Sequence, residues 1–157
     1  MWTPGLQLRS RPYLIESKLG EGGFGITYKA RHLQLDYLVA LKTPNQSLQN
    51  DPQYHKFVKR FVREGQILAQ VCRYHQAIVR VSDLFDEYGL PCLVMDWVDG
   101  KSLYDKVRKR GALSENKAVA IIRQIGEALV EVHKAGIVHR DAHPGNIMLR
   151  GNGSAVL

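Results

Sequence analysis

The feature that most constrains the fold is a change in hydrophobic period near Asp99-Gly100. Before this point, short runs of β-branched and aromatic residues alternate with glycine and proline turns. After it, apolar residues recur at helical spacing. Such a change predicts an α+β chain with two lobes, the first built on an antiparallel sheet and the second mainly helical. The 157 residues are enough for one ordinary domain or two small lobes.

The local patterns place elements in both lobes. In the first lobe they predict strands at 13–19, 26–28, 37–43, 77–86 and 90–95, and a helix at 53–71. The turn between the last two strands contains Gly89, which is free to adopt a positive φ. In the second lobe they predict helices at 102–110 and 114–136, and short strands at 147–149 and 155–157. The longer helix should bury an apolar stripe of Ile122, Ile125, Leu129 and Val132.

Composition excludes several classes of protein. Apolar residues make up 45% of the chain, which is enough for a packed core and argues against disorder. The only cysteines, Cys72 and Cys92, lie in apolar surroundings and read as reduced thiols of a cytoplasmic protein. No apolar run has the length of a membrane span. The net charge of +7 is spread over many segments, which disfavours a nucleic-acid binder.

A glycine-rich segment follows the first predicted strand. Its spacing is G-x-G-x-x-G, and its residues are Gly20, Glu21, Gly22, Gly23, Phe24 and Gly25. Glycines let the backbone approach a phosphate closely and point N–H groups at it. A dinucleotide-binding version would need a helix directly after the glycines, whereas here a β-rich run follows. The segment therefore predicts a flap between two strands, with an ordinary glycine-rich hairpin as the alternative.

One lysine and one glutamate form a second candidate pair. Lys42 ends a strong strand pattern, and Glu64 lies 22 residues later near the apolar face of the first helix. A lysine held by a carboxylate beside a glycine flap can clamp a phosphate. The alternative is a surface lysine and an unrelated helical glutamate.

A third candidate is the polar loop in IVHRDAHPGNIML, residues 137–149. Asp141 could accept a proton from a hydroxyl group, and the side-chain oxygen of Asn146 is a suitable Mg²⁺ ligand. Pro144-Gly145 predicts a loop, which disfavours His139 and His143 as a helical zinc pair. These residue types predict a loop that carries chemistry.

Taken in order, these elements resemble the protein kinase family. The glycine-rich loop, the strand Val39-Ala40-Leu41-Lys42, Glu64, and His139-Arg140-Asp141 with Asn146 match the family's motifs. The resemblance implies a protein-kinase-like two-lobed fold. Residues 1–12 would be an N-terminal extension, 13–98 the small lobe and hinge, and 99–157 the beginning of the large lobe.

The resemblance also implies a role for each matched position, with ATP and Mg²⁺ as cofactors and a protein as substrate. Gly20 to Gly25 would cover the phosphates, Lys42 held by Glu64 would contact them, and Asp141 would accept the substrate's proton. Asn146 would hold Mg²⁺. The walls around the adenine and the hinge would be formed by Thr27, Ala40, Met148, Met95, Asp96 and Val98.

Two departures from the family pattern affect the expected function. His143 stands where serine/threonine kinases usually have a lysine that touches the transferring phosphate. Its neutral imidazole would supply a donor there but not a full charge, which weakens the assignment of serine/threonine over tyrosine preference. The sequence ends before the position of the Asp-Phe-Gly motif, so we expect the N-terminal part of a serine/threonine kinase domain with little phosphotransfer by itself. The alternatives are a non-catalytic nucleotide-binding module or gene remnant, and a small-molecule kinase of related fold.

Overall fold

The computed structural model describes residues 1–22, 25–139 and 142–157. These residues form two compact units, one of Met1–Ala69 with Val81–Trp97 and the other of Gln70–Arg80 with Val98–Leu157. The change in hydrophobic period thus falls two residues beyond the end of the first unit. Within the described ranges, no helix is both long and apolar enough to cross a membrane.

The first unit is an antiparallel sheet with one helix, as the sequence predicts. The strand order is β1-β2-β3-β5-β4. The elements are β1 Tyr13–Glu21, β2 Gly25–His32, β3 Tyr37–Pro44, α1 Tyr54–Val71, β4 Val81–Glu87 and β5 Leu90–Asp96.

The prediction of a strand at 77–86 is wrong at its start, because β4 begins only at Val81. The backbone of Ala77 is engaged elsewhere, since its oxygen accepts from the Leu157 amide at 2.8 Å. The Val79 amide in turn donates to the Leu157 oxygen at 2.9 Å. Residues 77–80 therefore belong to the second unit. The turn that joins β4 to β5 is as expected, with Gly89 at φ 81° and Tyr88 at φ 54°.

One face of the five-stranded sheet carries the buried core of the first unit. Alternate residues of the central strands point into this core, among them Ile26, Tyr28, Leu41 and Val94, each at most 3% exposed. The amino-terminal segment of residues 1–12, called the strap below, contributes Leu8 to the same cluster. Because period-2 alternation sends neighbouring residues to opposite faces, the other face of β2 and β3 carries the less buried side chains, whereas most of β5 is buried on both faces.

Backbone hydrogen bonds hold the strap against β1. Gly5 donates to the Ile15 oxygen at 2.8 Å, and the Ile15 amide donates to the Leu6 oxygen at 2.9 Å. The Trp2 ring packs 5.2 Å from the ring of Tyr28, and the Trp2 amide donates to the Tyr28 hydroxyl at 3.2 Å. The strap is thus an integral layer of the first unit.

A buried carboxylate fixes the other end of the strap. Glu87, which is 5% exposed, accepts from the backbone N–H groups of Arg9 at 2.9 Å and Ser10 at 2.8 Å. Burial by itself raises the pKa of Glu87, but these two donors stabilise the charged form and leave the pKa below its ordinary value. A charged, hydrogen-bonded carboxylate therefore joins the strap to the end of β4.

The second unit contains a small sheet and two helices. Its sheet order is β6-β7-β8. The elements are β6 Gly100–Ser102, α2 Leu103–Arg110, α3 Glu115–Lys134, β7 Met148–Arg150 and β8 Ala155–Val156. Ser102 caps α2, because its hydroxyl accepts from the Asp105 amide at 3.1 Å, and Gly111 ends the helix at φ 80°.

The predicted stripe of α3 is partly wrong. Ile122 is 60% exposed, and the buried residues of the helix are Ile121, Ile125, Ala128 and Val132. Leu129 packs against the core cluster but is only partly buried. The reason is that the buried stripe passes through the small Ala128, whereas the sequence pattern favours larger apolar residues one step around the helix.

Candidate nucleotide-binding site

The described residues of the glycine-rich segment lie where β1 ends and β2 begins, and these two strands pair with each other. Gly20 pairs with Thr27 and Glu21 with Ile26, and the Gly22 amide donates to the Gly25 oxygen at 2.9 Å. β2 follows directly, with no helix after the glycines, as the flap prediction requires. Gly23 and Phe24, also predicted to contact phosphates, lie outside the described residues.

Gly25 shows why this position needs a glycine. A Cβ there would lie 3.0 Å from the backbone oxygen of Thr43 and 3.5 Å from Cε of Lys42. The first distance is shorter than ordinary van der Waals contact and involves backbone that cannot easily move. The second shows that the Lys42 side chain runs beside the flap. A phosphate held by the flap would therefore lie within reach of this lysine.

The strand register gathers several predicted contact residues on one face of the sheet. Thr27 pairs with Lys42, and Ala40 pairs with Met95. Directly paired residues of antiparallel strands lie on the same face, and so do residues two positions apart. Thr27, Ala40 and Met95 are half-buried and Lys42 is exposed, on the face opposite the fully buried core. The first unit thus presents an accessible face bordered by the flap.

The expected ion pair between Lys42 and Glu64 is not formed in this structure. Glu64 Oε1 instead accepts from Arg60 Nε at 2.7 Å, one helical turn earlier on α1. Lys42 has no ion-pair partner among the residues that the structure describes. The spacing of 22 residues identified a glutamate on α1, but it could not show that an arginine one helical turn earlier pairs with it.

Gly65 is a positioning residue that the sequence analysis missed. It is buried in α1, and a Cβ on it would meet Cδ1 of Leu93 at 2.9 Å. Leu93 pairs directly with Lys42 in the sheet. The glycine thus lets α1 approach β5 closely, beside the strand position that carries the lysine. A lone glycine in an otherwise amphipathic helix was the available signal.

Asn45 is a second residue that the sequence analysis missed. It follows β3, is 6% exposed, and donates from Nδ2 to Glu21 Oε1 at 3.0 Å. The other oxygen of Glu21 lies 3.0 Å from Lys18 Nζ. The hydrogen bonds from Lys18 and then Asn45 lower the pKa of Glu21 below its ordinary value. The flap is therefore tied by a charged side chain to the end of β3.

The predicted hinge residues lie at the end of the first unit and the start of the second. Asp96 is the exposed last residue of β5, and Val98 is half-buried. The Trp97 ring between them lies 5.3 Å from Lys29 Nζ. Met148, the predicted adenine contact from the second unit, is half-buried in β7.

The polar loop belongs to the second unit. Asp141, the predicted base, lies outside the described residues together with Arg140. His143 precedes a 3₁₀ turn at Pro144–Asn146, and its Nδ1 accepts from the Gly145 amide at 3.0 Å. A neutral ring with this contact carries its hydrogen on Nε2. His143 therefore stabilises the loop, and its role at a phosphate stays a prediction.

Asn146 is exposed at the end of this turn. Among the described residues, no group of three or more His, Cys, Asp or Glu side chains could hold a metal ion. Mg²⁺ commonly binds through one or two protein ligands together with substrate phosphates and water. Asn146, an exposed residue with an amide oxygen in its side chain, fits that type of site, in which the nucleotide brings most of the ligands.

Known proteins match a chain in which a glycine-rich segment, the strand β3 with Lys42, the helix α1 and the polar loop follow one another in this order. The protein kinase domain family matches residues 13–157, and the chain belongs to that family. The serine/threonine-protein kinase PkaA of Streptomyces coelicolor is 36% identical over 152 residues, covering 90% of this chain and 27% of the relative. The probable serine/threonine-protein kinase pknA2 of Bifidobacterium longum is 33% identical over 141 residues, covering 90% of this chain and 18% of the relative.

A solved structure confirms the kinase fold. The kinase domain of PknI from Mycobacterium tuberculosis superposes with a TM-score of 0.78 at 26% identity. The match covers 100% of this chain and 60% of the PknI chain. The chain thus spans less than two thirds of the kinase that it matches in structure, and about a quarter or less of the two bacterial relatives.

Proposed function

We propose that this chain binds Mg²⁺·ATP as part of a protein serine/threonine kinase that transfers the γ-phosphoryl group to protein hydroxyls. The observation that carries the proposal is the approach of Lys42 Cε to the flap at Gly25, beside the face that carries Thr27 and Ala40. A lysine at this position supplies charge to phosphate, and the flap supplies backbone N–H groups. The two bacterial relatives named above support the serine/threonine class.

Each residue's contribution follows its chemistry. Thr27, Ala40 and Met95 provide a half-buried surface for the adenine, and the backbone at Asp96 provides hydrogen-bonding groups. In the roles that the family resemblance gives them, Asp141 would accept the proton of the substrate hydroxyl, and Asn146 would ligate Mg²⁺. Magnesium, when bound, neutralises phosphate charge. We place the chain in the cytoplasm, where ATP is available.

A titration with a fluorescent ATP analogue tests the proposal on the 157-residue chain. We expect saturable binding that requires Mg²⁺ and that Lys42→Ala weakens by at least tenfold, because hydrogen bonds to charged groups contribute about 1.5–3 kcal/mol. Lys117→Ala is the matched control, since it removes one positive charge from an exposed position of α3. Equal affinity of the Lys42→Ala variant and the unaltered chain would refute the proposal.

A non-catalytic nucleotide-binding module is the second candidate, and one observation favours it. Glu64 is paired with Arg60, so it is not paired with the lysine that the kinase reading assigns to it. Transfer of radiolabelled phosphate from ATP to a generic basic protein distinguishes the two. Transfer that disappears in Asp141→Asn identifies a kinase, whereas nucleotide binding without transfer identifies the module.

A further inference from the structure

The hydrogen bond between Asn45 and Glu21 joins two strands that are not neighbours. Glu21 ends β1, Asn45 directly follows β3, and β2 lies between these strands in the sheet. Because Glu21 is inside the glycine-rich segment and Asn45 comes three residues after Lys42, the contact spans the base of the flap. It therefore ties the flap to the strand that carries the lysine.

The orientation of the Asn45 side chain is determined by its surroundings. Its Oδ1 accepts from the Ser47 amide at 3.1 Å and from the Ser47 hydroxyl at 2.7 Å. These donors leave Nδ2 directed at Glu21 Oε1, 3.0 Å away. A side chain that is 6% exposed and satisfied at both ends has little freedom to rotate. Lys18, at 3.0 Å, holds the second oxygen of Glu21 from the other side.

We propose that Asn45 is a positioning residue that fixes the glycine-rich flap relative to Lys42 and so sets the affinity for the phosphate groups of the nucleotide. This inference rests on the proposed nucleotide-binding function. Glycines allow the flap many backbone conformations, and fixing even a few of them in advance reduces the entropy lost on binding. The contact acts on the flap, so it should affect ligands with phosphates and leave adenosine unaffected.

Asn45→Asp tests the role with minimal change of shape. The new carboxylate can still accept from Ser47, but it cannot donate to Glu21 and repels its charge. We expect five- to tenfold weaker binding of the fluorescent ATP analogue, unchanged affinity for adenosine measured by competition, and faster hydrogen exchange of the Gly22 amide. Ser47→Ala is the control, because it removes a neighbouring hydrogen bond of Asn45 but leaves the bond to Glu21, and its ATP affinity should stay within twofold.

Combining Asn45→Asp with Glu21→Gln provides a rescue experiment. The glutamine amide can donate to the new carboxylate, so the bond is restored with its direction reversed and with the charge of the cluster unchanged. We expect ATP affinity and Gly22 exchange to return to within about twofold of the unaltered chain. If Asn45 contributed only to general stability, a second substitution in the same hydrogen-bonded cluster should add to the damage. Recovery of affinity therefore distinguishes the positioning role from a general one.

The outcomes separate this inference from the proposed function. Equal loss of ATP and adenosine binding in Asn45→Asp, or no recovery in the double variant, would overturn the positioning role while leaving nucleotide binding intact. If the unaltered chain binds no nucleotide, the proposed function and the effect on affinity both fail. Exchange of the Gly22 amide still reports on the flap in that case, and an unchanged rate would refute the structural part as well.

Discussion

Replacing Glu87 with glutamine should loosen the strap near Arg9 and Ser10 and destabilise the first unit. The carboxylate accepts two backbone hydrogen bonds at 2.8 and 2.9 Å in a site that is 5% exposed. Hydrogen bonds to a charged group contribute about 1.5–3 kcal/mol each, and neutral ones about 1 kcal/mol. Glutamine keeps one acceptor oxygen and turns an NH₂ group towards the second backbone donor. We therefore expect the free energy of unfolding to fall by about 2–4 kcal/mol.

Urea unfolding followed by tryptophan fluorescence measures this loss. Trp2 and Trp97, the two tryptophans of the sequence, both lie in the first unit, so the signal reports on that unit. With an m value of about 2 kcal/mol per molar urea, the midpoint of Glu87→Gln should fall by about 1–2 M. Asp36→Asn is the matched control, because its carboxylate is 81% exposed and the change should cost less than about 1 kcal/mol.

The stabilisation that Glu87 provides should depend on pH, because it requires the charged carboxylate. The pKa of Glu87 in the folded chain lies below the ordinary 4.5, because its backbone donors outweigh the effect of burial. The unfolded chain therefore takes up the proton first, and the stabilisation is fully present above about pH 4.5 and is lost as the pH falls through the lower folded value. The difference between the unaltered chain and Glu87→Gln should shrink in that range. Coincident midpoints at pH 7, or a gap that does not shrink as the pH falls below about 4.5, would contradict the reasoning.

Three further substitutions or reactions have defined outcomes. Gly100→Ala should destabilise the second unit by about 2 kcal/mol or more in thermal unfolding, because its Cβ would overlap the backbone oxygen of Leu149; an unchanged midpoint would contradict this. Cys92 should resist iodoacetamide at about pH 8 in the folded chain and react in urea, because burial raises the pKa of its thiol to about 12; equal reaction in both states would contradict this. Arg60→Ala should strengthen binding of the ATP analogue by about twofold, because it frees Glu64 from an exposed pair that is worth about 0.3–0.5 kcal/mol; unchanged or weaker binding would show that the pair does not compete.

The flap and the lysine strand could be predicted because their signals are local. Glycine spacing determines which backbone conformations are open to residues 20–25, and strand alternation places Ala40 and Lys42 on one face without any knowledge of the partner strands. The pairing of β3 with β2 and β5 in the structure agrees with this shared face. The order of these local signals along the chain was sufficient to identify the family.

The contacts that were missed depend on residues far apart in sequence or on competition between partners. Asn45 and Glu21 are 24 positions apart, and nothing in either local pattern indicates that they meet. Glu64 pairs with Arg60 on its own helix, and this choice of partner depends on side-chain geometry that the spacing to Lys42 does not contain. The buried stripe of α3 depends on Ala128, whose small size matters only when a partner surface is present.

The strap explains how the two faces of the first sheet come to differ. A sheet whose strands alternate buried and less buried residues needs a second layer on its apolar face. Residues 1–12 provide part of that layer through Leu8 and Trp2, although the family match begins only at Tyr13. Glu87 and the backbone of β1 hold the strap on that side. On the opposite face α1 packs against Leu93, and Lys42, its direct partner in the sheet, stays exposed beside the flap. The strap and α1 therefore each cover part of the sheet, and the positions beside the flap are the part that remains accessible.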